Sequence, residues 1–337
     1  MGANMIKRIV KDVFPWSPDV YHRMISTGKA LVNIVDKPVI ILLYHRVANL
    51  ETDPQLLAVS TENFAAQMKY IKENFDILRF EDNWENIKRP SIVVTFDDGY
   101  VDNYVNAKPI LEQYEVPATI FVSTGNIGTG REFWSDDIER IILLNAHLPK
   151  SIEVNLPRNN ILLDFSTDEN KVESYYKLHA ALKNIQLNER NCAMEELEKK
   201  LCPNVGSRSF YRTVNENELR GLDESRYITI GGHTVTHTKL SLQPYDVQKW
   251  EIMECKRTLE GILGHEVSTF SYPFGCLEDY TRETVDIVQQ AGYVKAASNY
   301  PGQVHAKRHS PFELPRQLVR NWDIDRFKVE LNKFWTN

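Results

Sequence analysis

Seven short apolar runs recur along this chain: Val39 to Tyr44, Ile92 to Phe96, Ala118 to Val122, Tyr227 to Ile230, Thr269 to Tyr272, Tyr293 to Ala297 and Leu314 to Val319. Each is too short for a stable helix and rich in the residues that suit a strand covered on both faces. Between most of them lie helical patterns, including Asn63 to Lys72, Asn103 to Tyr114, Tyr245 to Leu263 and Asp279 to Gln290, some opened by Ser, Asp or Pro near the start. Such alternation predicts a parallel α/β barrel or sheet. It breaks between about Trp134 and Asp223, where Lys171 to Lys183 and Asn191 to Leu201 read as helices. No repeat, low-complexity tract or linker marks a boundary there, so the segment reads as an insertion and not as a second domain.

The expected organisation is a helical N-terminal segment over 1–37, a main domain over 38–320 with a helical insertion at about 134–223, and a C-terminal helix over 321–337. With 337 residues, 42% of them hydrophobic and 26% charged, the chain suits a soluble globular protein with a sizeable core. A net charge of -6, a pI near 5.9 and no compact Lys/Arg block argue against a nucleic-acid partner. Cys192, Cys202, Cys255 and Cys276 form no CxxC pair and read as reduced thiols.

Charge interrupts the first residues every few positions, and no later run approaches the roughly 18 apolar residues of a spanning helix. The expectation is a cytoplasmic enzyme, secreted only where a leader has been removed. Ile6, Ile9, Val10, Val13 and Phe14 recur at helical spacing beside Lys7, Arg8 and Lys11. Residues 6–14 therefore offer either a weak membrane-surface contact or a helix docked on its own domain.

Two segments carry chemistry. Ile92-Val-Val-Thr-Phe-Asp-Asp-Gly99 is an apolar strand ending in two carboxylates and a glycine. Side chains alternate faces along a strand, so Asp97 and Asp98 can serve one site only where the backbone turns, and Gly99 permits a turn. Paired carboxylates invite a division of labour, one on a cation and one free as a base; a helix-capping Asp-Gly turn is the plain alternative. Ile228-Thr-Ile-Gly-Gly-His-Thr-Val-Thr-His237 also ends a strand in glycines, followed by histidines four apart, a spacing that zinc and similar ions use. A pair of this kind is also found solvated or satisfied within a core. A His₂-carboxylate set leaves positions open for water and substrate, the pattern of a catalytic site.

At these residues the chain resembles the polysaccharide deacetylase family, carbohydrate esterase family four, whose first motif is TFDDG and whose second is H-[ST]-x-x-H. Thr95 to Gly99 and His233 to His237 carry both, and the similarity runs from about Pro38 to Val319. The resemblance implies that Asp97 is the general base and that Asp98, His233 and His237 hold the metal. Tyr44-His-Arg-Val47 is similar to a segment of the branch containing bacterial surface-polysaccharide deacetylases, and Tyr272-Pro-Phe-Gly275 to the third motif, which places Pro273 and Phe274 at the substrate. That motif usually carries an arginine where this chain has Ser271. Arg316 is the replacement expected here, since its fork of N–H donors suits orienting an ionised Asp97. The family's fifth motif supplies a histidine acid, but Leu314-Pro-Arg316 carries arginine there; His45 is the candidate acid, with His305 and His309 as alternatives, and a structural hydrogen-bonding role is the plain alternative for His45. Trp134 opens the insertion and offers an aromatic face to a sugar ring, or else a core or helix-start role.

The reaction implied is hydrolysis of N-acetyl groups on amino sugars, with the oxyanion held by the metal and by the backbone N–H of Tyr272. Two readings stand beside it: hydrolysis of another acyl group (formyl, O-acetyl or a non-sugar amide), and a catalytically dead carbohydrate-binding relative. The ion expected first is zinc, though cobalt, nickel or iron accept the same ligands. The resemblance and the motif positions both point to a distorted, incomplete (β/α)7 barrel with the site at the C-terminal strand ends.

Overall fold

The strand Val39–Tyr44 (β1) is buried at all six positions and pairs in parallel with the equally buried Ser91–Phe96 (β2), in a register from Val39↔Ser91 to Tyr44↔Phe96. Between them runs α1 (Thr61–Asn74), started by Ser60, whose side chain accepts from the Asn63 N–H. These elements belong to a computed structural model that describes Asn33 and residues 36–157, 160–201 and 206–336. Most of the expected segment 1–37, including the apolar positions 6–14, lies outside the described residues.

After β2 a π-helical turn over Asn103–Ala107 leads into α2 (Lys108–Tyr114) and then β3 (Ala118–Val122). The insertion follows: α3 (Trp134–Ile138), an antiparallel hairpin of β4 (Ser151–Val154) and β5 (Ile161–Asp164), α4 (Asp168–Lys183) and α5 (Leu187–Leu201). The hairpin is not foreshadowed by the helical periodicity of this stretch. Ile138, Ile142, Leu163, Leu178 and Leu197 anchor a hydrophobic cluster of the insertion's own, separate from that of the barrel. The chain then enters α6 (Glu216–Asp223), opened by an Asn215/Glu218 capping box.

The alternation then resumes with β6 (Ile228–Gly232), α7 (Tyr245–Leu263), β7 (Thr269–Ser271), α8 (Arg282–Gln290), β8 (Lys295–Ala297), β9 (Gln317–Leu318) and a last helix, α9 (Ile324–Thr336). The strands form one parallel half-barrel in the order β8-β7-β6-β3-β2-β1-β9, with Asp76–Ile77 as a branch on β2. The segment before β9 bridges the two edges: Leu314 pairs with Ala297 before Gln317 and Leu318 join β1. This is the incomplete (β/α)7 barrel expected from the sequence. No helix among the described residues is long and apolar enough to cross a membrane.

Strand parity sorts the barrel into two faces. Ile40, Leu42, Tyr44, Ile92, Val94, Phe96, Ile228, Ile230, Phe270 and Tyr272 pack with the helices. Val39, Ile41, Val93 and Phe121 form an inner cluster with Phe80 and Trp84. Gly231 belongs to the inner parity, and a Cβ added there would lie 2.4 Å from the Phe121 ring and 2.8 Å from Thr269 Oγ1. Gly231→Ala is expected to cost about 1–3 kcal/mol through overpacking, measured as a lowered urea midpoint with an unchanged slope.

Candidate active site and metal centre

Following the inner parity off the strand ends places His45, Asp97 and His233 at one mouth of the barrel. Asp98 has the wrong parity to join them, and the backbone compensates. Its φ is +76° and that of Gly99 is +75°, a left-handed pair that turns the second carboxylate back over the mouth. Gly99 packs against β3 so closely that a Cβ would meet Val122 at 2.8 Å.

Asp98 Oδ1 lies 3.5 Å from His233 Nε2 and 3.2 Å from His237 Nε2, and ligand atoms of the three residues all fall within 4.8 Å of one another. Tetrahedral donors about 2.0–2.1 Å from zinc stand about 3.3 Å apart, so the two distances from Asp98 suit such an ion. Asp98 Oδ1 is buried without a hydrogen-bond partner among the described residues, as expected for an atom whose partner is a cation. His233 Nδ1 lies 2.8 Å from the Ser271 carbonyl, which fixes the tautomer that turns Nε2 toward Asp98. Burial lowers the His237 pKa to about 3 against the pull of Asp98, which keeps this imidazole neutral and able to ligate. Burial likewise opposes the charge on His233, but Asp97 and Asp98 outweigh it and raise that group.

The first carboxylate has a different environment. Arg316, 1% exposed, grips Asp97 with a two-pronged fork: Nη1 to Oδ1 at 2.7 Å and Nη2 to Oδ2 at 2.6 Å. Its remaining donors reach the Ser298 carbonyl at 2.7 Å and Ser271 Oγ at 2.9 Å, and Ser271 Oγ in turn donates to Asp97 at 3.2 Å. Burial alone would raise the Asp97 pKa; the Arg316 guanidinium, with smaller help from His233 and His45, outweighs it and holds the group below the ordinary carboxylate value. Ser271 thus occupies the third-motif position without supplying a charge, and the guanidinium comes from the segment that closes the barrel.

The family model described as polysaccharide deacetylase matches residues 85–147 and 168–296, more than half of the chain. The chain belongs to the polysaccharide deacetylase family. It is 29% identical over 131 residues to YxkH of Bacillus subtilis, named for a polysaccharide deacetylase, a match covering 34% of this chain and 44% of that one. It is 35% identical over 78 residues to a poly-β-1,6-N-acetyl-D-glucosamine N-deacetylase of Staphylococcus aureus, covering 21% of this chain and 27% of the other. The chain thus spans less than half the length of the curated relatives it matches. A crystal structure of a polysaccharide deacetylase from Bacillus cereus shares the fold with a TM-score of 0.55 at 19% identity, covering 88% of this chain and 69% of that one.

Several expected site residues of this family member stand elsewhere than the sequence suggested. The Tyr272 N–H donates to the Ala297 carbonyl at 3.1 Å within the sheet, and its ring stacks on Tyr280 with centroids 4.2 Å apart, so its assignment as oxyanion donor is corrected. Two residues on, Phe274 has φ +61°, its ring centroid lies 4.8 Å from that of His237, and its N–H makes no hydrogen bond among the described residues. His305 and His309 are also corrected. His305 bonds the Asp36 carbonyl at 3.1 Å, beside the bridge from Val304 to Val39, at the start of β1 and so at the opposite end of the barrel.

His45 remains at the mouth. Its Nδ1 is buried without a partner among the described residues, and its carbonyl accepts from Asn103 Nδ2 at 2.9 Å. Burial lowers its pKa, opposed by Asp98 and Asp97. Trp134 starts α3, stacks on His179 at 5.0 Å and stands 6.5 Å from Phe274, forming a wall between the insertion and the metal centre. Pro273 links Tyr272 to Phe274 on the same loop.

Sequence reasoning missed Glu251 and Arg190, which touch the second motif. Both sit on buried helix faces, Glu251 with Gln248, Ile252, Cys255 and Leu259, and Arg190 with Ala193, Leu197 and Leu201. A charge at a core position of a helical stripe was the available signal.

Proposed function

We propose that this chain is a metal-dependent hydrolase that removes N-acetyl groups from amino sugars carried in a polysaccharide, oligosaccharide or lipid-linked glycan. The observation that carries the reading is the split between two adjacent carboxylates. Asp98 faces two imidazoles while Asp97 faces a guanidinium. Asp98, His233 and His237 would hold the ion, zinc first among those their chemistry accepts. The chemistry supplied there by the ion is Lewis acidity, which polarises an acyl oxygen and lowers the pKa of a water.

Asp97, ionised and oriented by Arg316, takes a proton from the attacking water. The Phe274 N–H donates to the acyl oxygen as negative charge develops on it. His45 delivers a proton to the departing nitrogen as the C–N bond breaks, and acetate and a free amine are released. Trp134 and Phe274 offer apolar faces against which a sugar ring can lie. The Staphylococcus aureus relative is named for a polymer of N-acetylglucosamine, which makes oligomers of that sugar the first substrates to test.

Free-amine and acetate release from N-acetylglucosamine oligomers, with chelator and with added zinc, tests the proposal. Zinc-dependent release is expected, falling about 10²–10⁴-fold in His45→Asn and unchanged in His305→Ala. Protein with bound zinc that releases neither product would redirect the reading to another acyl group. Protein that binds no metal would end it.

A further inference from the structure

The second motif ends in a strained turn. Thr234 and His237 both lie in the left-handed region, at φ +64° and +49°, and neither is glycine. Such a turn holds its shape only where its surroundings over-determine it, and here opposite charges grip it from two sides.

Glu251, on α7 and fully buried, accepts the Val235 N–H at 2.8 Å and the Thr236 N–H at 2.9 Å through Oε2, while Oε1 accepts from the Thr236 hydroxyl. Arg190, on α5 of the insertion and 4% exposed, donates from Nη2 to the Thr236 carbonyl at 3.0 Å and from Nη1 to the His237 carbonyl at 3.2 Å. The amide hydrogens of the turn thus meet the carboxylate and its carbonyl oxygens meet the guanidinium. A third contact comes from the exit of β3, where Gly125 N–H donates to the Val235 carbonyl at 2.8 Å. A Cβ on Gly125 would lie 2.6 Å from that oxygen.

We infer that Arg190 and Glu251 are positioning residues for the metal centre, and that the insertion is a built-in part of that centre as well as a wall of the cleft. Two carbonyls on consecutive residues held by one rigid guanidinium fix the peptide that carries His237, and so fix where its Nε2 points. A lysine is a single point charge on a flexible stem and cannot span both oxygens in a fixed geometry. Arg190 also lies 5.1 Å from the Trp134 ring, so the same side chain ties the aromatic wall to the turn.

The inference rests on Asp98, His233 and His237 holding the ion, and the test separates the two ideas. Zinc affinity is measured by competition with a chromophoric chelator for the wild type, Arg190→Gln, Arg190→Lys and Glu251→Gln. The visible absorption of the cobalt-loaded proteins reports ligand geometry, and thermal melts of the metal-free proteins report folding. A loss of about 10–100-fold in affinity is expected for folded Arg190→Gln, with altered cobalt bands and a smaller loss in Arg190→Lys. Wild-type affinity and bands in folded Arg190→Gln would overturn the clamp and leave the proposed function standing. Should that variant not fold, Arg190→Lys carries the test, and wild-type affinity in it would overturn the clamp equally. A wild-type protein that binds no zinc would sink both.

Discussion

Arg316→Ala is expected to lower kcat for amine release by about 10²-fold or more while leaving zinc bound. The guanidinium is fully buried and spends four of its donor contacts on Asp97, Ser271 and Ser298. Removing it leaves a carboxylate in a low-dielectric mouth with the Ser271 Oγ hydrogen bond and the more distant His233, 3.9 Å away, so Asp97 is driven toward its protonated form and becomes a poorer base. Breaking one side of a buried pair costs about 3–5 kcal/mol, so the urea midpoint should fall as well. Arg316→Lys restores charge without the fork and should recover part of the stability and little of the rate. The cycle with Asp97→Asn is the sharper measure. If the two act as one unit, removing Arg316 from the Asp97→Asn variant costs far less rate than removing it from the wild type. Fully additive losses would mean that Arg316 supports the fold and not the base.

Asp97→Asn should lower kcat by about 10²–10⁴-fold with zinc affinity held within about twofold. His237→Ala should instead lose the ion. The dissociation follows from the geometry: Asp97 stands 3.9 Å from His233 Nε2 and is held by the guanidinium, whereas the unpartnered oxygen of Asp98 faces both imidazoles. Asparagine keeps an acceptor for Arg316 and nearly the same volume, so the fold should tolerate it. Equal loss of metal in both variants would show that the two aspartates share the ion, and the proposed division of roles would be abandoned.

How far the site could be read from the sequence depended on strand parity. His45, Asp97 and His233 each continue the inner face of a strand whose outer face is marked by Ile40 and Leu42, Ile92 and Val94, or Ile228 and Ile230. The seven strands are visible without coordinates, but both faces of runs such as Val39–Tyr44 and Ser91–Phe96 are buried, so which parity faces inward is not. Asp98 required more, since only the left-handed turn at 98–99 brings it inward, and Gly99 was the sole hint of it. The third motif was misread by two positions for a related reason. Whether an N–H faces the site or the sheet depends on where β7 stops, and strand ends are uncertain by one or two residues. Tyr272 still pairs with Ala297, and Phe274 does not. Arg190 and Glu251 were hidden because the partners of Arg190 lie 46 and 47 positions away and those of Glu251 15 and 16, on different elements, which no local pattern reports.

The placement of Arg316 on the segment that draws the two barrel edges together also bears on how the molecule comes into being. Synthesis delivers β2 and its Asp97 more than two hundred residues before position 316 reaches the ribosome exit. A nascent or C-terminally clipped chain therefore carries both histidines and both aspartates while Asp97 waits without its counter-charge. The bridge that joins the two barrel edges and the counter-charge of Asp97 therefore arrive on the same late segment of the chain.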